Sequence, residues 1–144
     1  MITPSIGRAL RGLRPTPAEP ADAYTPSLDP DVIERLIRAL KRIEGFAELG
    51  AYDDVKRELK SLPIAARELP EVQLRVGRML ESLAKIDEAM ALYARMERSA
   101  LSQLGQVRCL ARMERFDEAR WLMDRVPFEA ASVREFVEAR EMLG

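Results

Sequence analysis

Four arginines occur as two pairs at helical spacing in the second half of the chain. Arg75 and Arg78 are three residues apart, and Arg108 and Arg112 are four apart. Residues three or four positions apart share one face of an α-helix, so the two members of each pair would point the same way. The planar guanidinium presents a fork of N–H donors that matches the oxygens of a carboxylate or phosphate. The pattern predicts a site for an acidic peptide or a free C-terminal carboxylate.

The alternative interpretation is an ordinary solvated helix face, whose arginines pair with neighbouring acids such as Glu71 and Glu81. The anion-site hypothesis has testable consequences. Close like charges repel one another, so a bound anion would relieve that repulsion, and binding would weaken as ionic strength rises. On this hypothesis, charge reversal at Arg78 and Arg108 together abolishes binding and leaves the fold intact.

The chain carries few of the groups that catalysis or metal binding usually requires. It has no His, and its one cysteine, Cys109, can form neither an internal disulfide nor a thiolate zinc site. Acidic pairs recur at predicted helix starts, at residues 53–54, 87–88 and 117–118, where negative charge suits the helix dipole. We expect Cys109 to be a packed thiol, and we expect no catalysis, cofactor or metal.

An internal repeat predicts the elements that must position these residues. Segments starting at residues 49, 83 and 113, 34 and then 30 residues apart, share a large apolar residue, Asp, a second acid and a small apolar residue. A period near 34 residues is typical of helical repeat arrays, and no strand pattern occurs. We therefore predict an all-α fold: an α-solenoid of about three helix-turn-helix repeats with a C-terminal capping helix.

Capping residues and apolar periodicity place the individual helices. Asp29 is predicted to cap the first helix, with Pro30 at its first position. Tyr93 and Trp121 are expected to pack between helices. The predicted helices run from Asp29 to about Leu49, and over residues 52–62, 70–83, 86–97, 99–113 and 116–126.

The capping helix is predicted after residue 132. Ser132 and Glu135 have the spacing of a capping box. The helix is expected to bury Val133, Phe136 and Val137 and to leave its charged face in water, which suits the end of an array.

Residues 1–28 are predicted to lie outside the repeat domain of residues 29–144. Four prolines between residues 15 and 28 indicate an extended linker. Before it, Ile6, Leu10 and Leu13 share one helical face. The segment could be a frayed tail, a short amphipathic helix docked on the repeats or on a partner, or a mitochondrial transit peptide.

The repeated residues resemble the tetratricopeptide repeat over residues 36–127. The similarity lies in the turn between the paired helices, around Gly50, Ala84 and Glu114, and in the small and bulky positions of the second helix. Gly77 matches the small position of a first helix. Val107 stands at that position in the third repeat, where it should push the helices apart.

The resemblance implies a groove. In the family, stacked repeats form a concave face lined by their first helices, which would bring the two arginine pairs side by side. It also implies a non-catalytic protein-interaction module, an adaptor or small chaperone, for an extended or helical peptide. The implied groove residues are Lys41, Leu74, Arg75, Arg78, Leu104, Arg108 and Arg112.

Two other functions stay open. One is a structural or oligomerisation subunit whose groove is filled by its own N-terminal segment or by a second copy. The other is RNA binding of the pentatricopeptide type, which residues 115–120 resemble; the absence of Asn and the net charge of -1 argue against it. No apolar run approaches the roughly 20 residues of a membrane span. The single thiol fits a reducing compartment, so a cytoplasmic protein is expected.

Overall fold

The structure, a computed structural model, describes residues 29–144, so the predictions for residues 1–28 lie outside the described part of the chain. Every regular element in residues 29–144 is helical, which confirms the all-α prediction. None of these helices is long and apolar enough to cross a membrane. They are α1 (Pro30–Glu48), α2 (Tyr52–Lys60), α3 (Ile64–Arg67), α4 (Pro70–Ser82), α5 (Ile86–Arg95), α6 (Ala100–Arg112), α7 (Phe116–Met123) and α8 (Val133–Glu141).

The chain divides into two structural units, an N-terminal unit ending at Val72 and a C-terminal unit of residues 73–144. In the N-terminal unit, α1 packs against α2. Asp29 caps α1 as predicted, because its side chain accepts a hydrogen bond of 2.8 Å from the backbone N–H of Asp31. Leu40 and Ile43, three residues apart on α1, are completely buried. The first helix therefore starts and faces inward where the sequence predicts.

One short helix was not predicted. The helix α3 is a single turn of four residues directly after Pro63. A segment of this length is too short for helical periodicity to be visible in the sequence. The other helices begin where capping and periodicity place them, and several end two or three residues earlier than predicted, such as α7 at Met123.

The three repeated turns have one backbone conformation. Gly50, Ala84 and Glu114 have φ of 73°, 60° and 61°, in the left-handed region. In each turn, this residue donates its N–H to the carbonyl three residues earlier, and the following residue donates to the carbonyl five residues earlier. This is the Schellman arrangement, which satisfies the last carbonyls of a helix. The sequence repeat thus corresponds to a repeated helix ending.

The C-terminal unit is built around α6. The helices α5, α7 and α8 all pack against it, and most of its side chains are buried. Leu104 and Val107 on α6 meet small residues of the neighbouring helices, Ala119 on α7 and Ala139 on α8, and all four are completely buried. Small residues on the outer helices let them approach the central helix closely.

The start of α8 differs from the prediction. A 3₁₀ turn, Ala130–Ser132, precedes the helix, and the Ser132 hydroxyl donates to the Glu129 carbonyl at 3.1 Å rather than capping α8. Val133 and Val137 are 41% and 47% exposed, while Ala139 is completely buried. The prediction that both valines are buried was wrong, because α8 turns its Ala139 face towards α6.

Trp121 was also predicted wrongly as a packing residue. Its side chain is 59% exposed. The guanidinium of Arg125 lies over the indole, with its carbon 3.7 Å from the ring centroid. Ala119, two positions earlier, faces the core, so Trp121 falls on another face of α7. One face of the indole ring therefore contacts a cation, and within residues 29–144 no neighbouring helix packs over the side chain.

Candidate functional site

A buried ion pair lies at the centre of the C-terminal unit. Glu81, near the end of α4, accepts two hydrogen bonds of 3.0 Å from Arg108 on α6, from Nε to Oε1 and from Nη2 to Oε2. Tyr93 on α5 donates its hydroxyl to Glu81 Oε2 at 2.6 Å. The side chains of Arg108 and Glu81 are only 3% and 6% exposed. Three helices therefore contribute one polar group each to an almost completely buried cluster.

Two glycines position the tyrosine ring. A Cβ on Gly77 of α4 would lie 2.6 Å from Tyr93 Cε1, and a Cβ on Gly105 of α6 would lie 2.7 Å from Tyr93 Cδ1. Both distances are far inside van der Waals contact, so only glycine fits at either position. The sequence identified Gly77 as a small residue at a helix contact and Val107 as its equivalent in the third repeat. On α6, the close approach to the ring is instead at Gly105. The ring lies between the two helices that carry the ion pair.

The surroundings fix the charge state of this cluster. Burial raises the pKa of Tyr93, and the negative charge of Glu81 raises it further, so the phenol keeps its proton and donates a hydrogen bond to Glu81. Burial by itself would lower the pKa of Arg108. The hydrogen bonds and charge of Glu81 outweigh that effect, and the pKa of Arg108 is raised. A protonated phenol, a carboxylate and a guanidinium therefore coexist in the interior.

A second ion pair lies nearer the surface. Arg78 on α4 donates to both oxygens of Glu138 on α8, with Nη2 2.7 Å from Oε1 and Nη1 3.1 Å from Oε2. Their side chains are 39% and 43% exposed. The hydrogen bond from Arg78 lowers the pKa of Glu138, and the charges of Arg108 and Arg134 lower it further. Arg78 and Arg108 are close enough that their charges influence each other.

The two ion pairs meet at an open cleft of about 420 Å³, which we name the arginine cleft. Arg112 on α6 donates from Nη1 to the backbone carbonyl of Glu81 at 3.0 Å. Three arginines and two glutamates line the cleft, so one positive charge is in excess. The lining residues are Arg78, Glu81, Ser82, Arg108, Arg112, Glu138 and Met142.

One buried donor of Arg108, a residue that lines the cleft, lacks an acceptor within residues 29–144. The Nε and Nη2 groups of Arg108 donate hydrogen bonds to Glu81, and Nη2 also donates to the Tyr93 hydroxyl. The buried Nη1 has no hydrogen-bond partner among the described residues. Buried polar groups are nearly always hydrogen-bonded, so an unsatisfied guanidinium nitrogen calls for an explanation. An oxygen-bearing anion is one group that would satisfy it, through a charge-assisted hydrogen bond.

The structure brings three of the four predicted arginines to one cleft: Arg78, Arg108 and Arg112. Arg75 lies on α4, half-buried, and is not among the residues that line the cleft. The fold thus brings residues of the two arginine pairs to the same cleft. Their charges are already partly compensated, as the alternative interpretation of pairing with acids such as Glu81 predicts.

The remaining predicted groove residues take no part in the cleft. Leu104 is completely buried in the core around α6, so it presents no surface to a ligand, and that prediction is corrected. Leu74 is half-buried on α4. Lys41 is exposed on α1, in the N-terminal unit.

Sequence reasoning missed Glu138. It lies 60 residues after Arg78 on a different helix, so no local spacing connects the two. The hydroxyl of Tyr93 was a weak indication, in the sequence, that a buried polar partner lies nearby. Tyr93 occupies the repeat position that Leu59 and Met123 occupy elsewhere, and a polar group at an otherwise apolar position needs a partner.

The thiol of Cys109 lies close to this charged cluster but has low reactivity. Cys109 is completely buried on α6, which confirms the packed thiol. Burial, and after it the negative charge of Glu81, raise the pKa of this thiol to about 12. A thiol with such a pKa is almost entirely protonated near neutral pH and is a poor nucleophile. Within residues 29–144, no group of three or more His, Cys, Asp or Glu side chains is placed to hold a metal ion.

Comparisons with protein-family models, with curated proteins and with solved structures give no match to this chain. The resemblance to the tetratricopeptide repeat therefore stays a prediction that depends on the repeated residues themselves. The function has to be argued from the arginine cleft.

Proposed function

We propose that the protein is a non-catalytic interaction module of tetratricopeptide type that binds an acidic peptide, or the free C-terminal carboxylate of a partner protein, in the arginine cleft. Within that proposal it acts as a cytoplasmic adaptor or small chaperone. The observation that carries the proposal is the buried Nη1 of Arg108, which has no acceptor among the described residues although it belongs to a residue that lines a cleft.

The energetics favour an anion at this position. A buried donor without an acceptor costs about 1–3 kcal/mol, and more when the donor is charged. A ligand oxygen on Nη1 would recover that cost. The positive charge in excess over Glu81 and Glu138 favours an anion over a neutral ligand. Arg112, an exposed residue that within residues 29–144 donates only its Nη1 group, to the Glu81 carbonyl, lies on the cleft to meet it.

One further observation favours a different function, a structural subunit that associates with a second copy. Phe128, Val133 and Val137 are 65%, 41% and 47% exposed around the start of α8. Val133 and Val137 are four residues apart and so share one face of α8, and exposed apolar faces are typical of interaction sites. Size-exclusion chromatography with light scattering, over a series of protein concentrations, distinguishes a monomeric module from a subunit of this kind.

Peptide binding by the arginine cleft can be measured without knowing the partner. The probes are three fluorescein-labelled peptides: Gly-Glu-Gly-Glu-Gly with a free C-terminus, its C-terminal amide, and the amide of Gly-Gln-Gly-Gln-Gly. Fluorescence anisotropy at low and high salt should show binding of the acidic peptides, weakened by salt, and little binding of the neutral one. Comparison of the first two separates C-terminal from side-chain recognition.

The variant for this measurement is Arg112→Glu, because Arg112 lines the cleft and is exposed, so its replacement leaves the core in place. We expect affinity for the acidic peptides to fall about tenfold, which corresponds to about 1.4 kcal/mol. The matched control is Arg95→Glu, which changes the same charge at an exposed residue outside the cleft. Equal losses in both variants, or no binding of any peptide by the parent, would exclude the proposed site.

A further inference from the structure

The carboxylate of Glu138 has the geometry expected of a ligand in the arginine cleft. It faces the guanidinium of Arg78 with both oxygens, at 2.7 and 3.1 Å. It belongs to α8, which is held in place by the burial of Ala139 one residue later. The carboxylate is therefore presented to the cleft by a packed helix, in the way that a bound peptide would present an acidic side chain.

Glu138 satisfies only part of the cleft. Its oxygens take the Nη1 and Nη2 groups of Arg78, while the buried Nη1 of Arg108 stays without an acceptor. The two arginines nevertheless act on the same carboxylate electrostatically. A carboxylate that is not attached to α8 is free to take a position between Arg78 and Arg108 that Glu138 does not take.

The two ion pairs differ in how readily they can open. The side chains of Arg78 and Glu138 are 39% and 43% exposed, so water can solvate both when they separate, and such pairs contribute little to stability. The pair of Arg108 and Glu81 is almost completely buried, and breaking it would leave two charges without solvent. Only the outer pair is suited to exchange its carboxylate.

We propose that Glu138 is an internal competitor, which occupies Arg78 in the free protein and is displaced by the carboxylate of a bound ligand. This inference rests on the proposed function. The exchange replaces one planar two-oxygen group by another on the same guanidinium, so the ligand class is a carboxylate, from a chain terminus or from an Asp or Glu side chain. Displacement releases Glu138 to water and lets the incoming group approach Arg108 as well.

The test compares three forms of the full chain with the free-acid peptide Gly-Glu-Gly-Glu-Gly. Glu138→Gln removes the competing charge and keeps the size of the side chain. Its control is Glu141→Gln, which removes the same charge from an exposed residue of α8 that does not line the cleft. We expect Glu138→Gln to bind the peptide about three- to tenfold more tightly than the parent, and Glu141→Gln to bind like the parent.

A second measurement follows the exchange directly. The NMR signal of the Arg78 Nε–Hε group should move when peptide is added to the parent, and Glu138→Gln should move it before peptide is added. Thermal melts of the three forms show whether each variant is folded.

The outcomes separate the inference from the function on which it rests. If the parent binds the peptide and Glu138→Gln binds equally or less tightly, Glu138 is no competitor, and the proposed function stands. If neither form binds, both proposals are overturned. Binding by Glu138→Gln alone would mean that the peptide cannot displace Glu138 from the parent, which overturns both the exchange and peptide binding by the natural chain. Competition of the bound peptide by inorganic phosphate as effectively as by acetate would overturn the carboxylate assignment.

Discussion

Arg108 and Glu81 form a bidentate ion pair in the interior of the C-terminal unit. Arg108 Nε donates to Oε1 and Nη2 donates to Oε2, both at 3.0 Å. Removing one member of such a pair leaves the other as an isolated charge out of water. The sequence-based expectation that charge reversal at Arg108 leaves the fold intact was made for an exposed side chain. At 3% exposure, that expectation no longer holds.

The first prediction concerns this pair. We expect Arg108→Met to lower the free energy of unfolding by about 3–5 kcal/mol, because Glu81 becomes a buried charge without its partner. Urea denaturation at neutral pH measures the loss, and Arg112→Met, at an exposed position of the same helix, should cost less than about 1 kcal/mol. The double variant Glu81→Leu with Arg108→Met should be more stable than Arg108→Met alone. Equal losses from the two single arginine replacements would mean that the pair is open in solution.

The second prediction concerns the ring of Tyr93. Gly77→Ala and Gly105→Ala should each destabilise by about 1–3 kcal/mol, since each new methyl group would overlap a ring whose hydroxyl is tied to Glu81. Gly45→Ala is the matched control. It lies within α1 with no atom within 4 Å of its added Cβ, so it should stabilise by about 0.5–1 kcal/mol. Thermal melts compare the three variants. A higher melting temperature in all of them would show that the Tyr93 ring is not confined by the two glycines.

The third prediction uses the repeated turn. Ala84 and Glu114 adopt φ near 60°, which costs a residue with a side chain about 1 kcal/mol relative to glycine. We expect Ala84→Gly and Glu114→Gly to stabilise by about 0.5–1 kcal/mol, and Gly50→Ala to destabilise by a similar amount. Chemical denaturation of the three variants would show the opposite signs. A loss of stability in both glycine variants would argue against left-handed turns at these positions.

The fourth prediction is a dependence on alkaline pH. The pKa of Tyr93 is raised above its ordinary value of 10.0, first by burial and then by Glu81. The protonated phenol therefore contributes stability that is complete below about pH 10 and is lost as the pH rises further. Urea denaturation between pH 7 and 11 should show a steeper fall above pH 10 for the parent than for Tyr93→Phe. At pH 7 the variant should already lose about 1–3 kcal/mol, because Glu81 loses a donor. Parallel pH profiles would mean that Tyr93 is not the titrating group.

Local patterns in the sequence predicted the local features of this fold. The cap at Asp29 and the repeated turns at Gly50, Ala84 and Glu114 depend on a few neighbouring residues, and so they could be recognised directly. The buried face of α8 could not be recognised in this way, because the face that meets α6 carries Ala139 rather than Val133 and Val137. Helical spacing alone gives the relative faces of a helix but not its rotation about the axis.

The site was predictable only in part, for a related reason. Helical spacing and the repeat together placed Arg78 and Arg108 near each other, and the structure puts both on one cleft. Their partners depend on tertiary contacts: Glu81 is 27 residues from Arg108, and Glu138 is 60 residues from Arg78. The sequence suggested Glu81 as a partner only through its closeness to Arg78, and nothing in a single sequence distinguishes Glu138 from the other acids on exposed helix faces.

The buried thiol of Cys109 makes the protein its own reporter of structural opening. It is the only cysteine in the chain and sits on α6, the helix that the rest of the C-terminal unit surrounds. In the folded state, the burial of the thiol and its raised pKa both suppress alkylation. Both effects vanish when α6 is exposed to solvent. The rate at which a thiol reagent labels the native protein therefore gives the free energy of the opening that exposes Cys109, without denaturant and without an introduced probe.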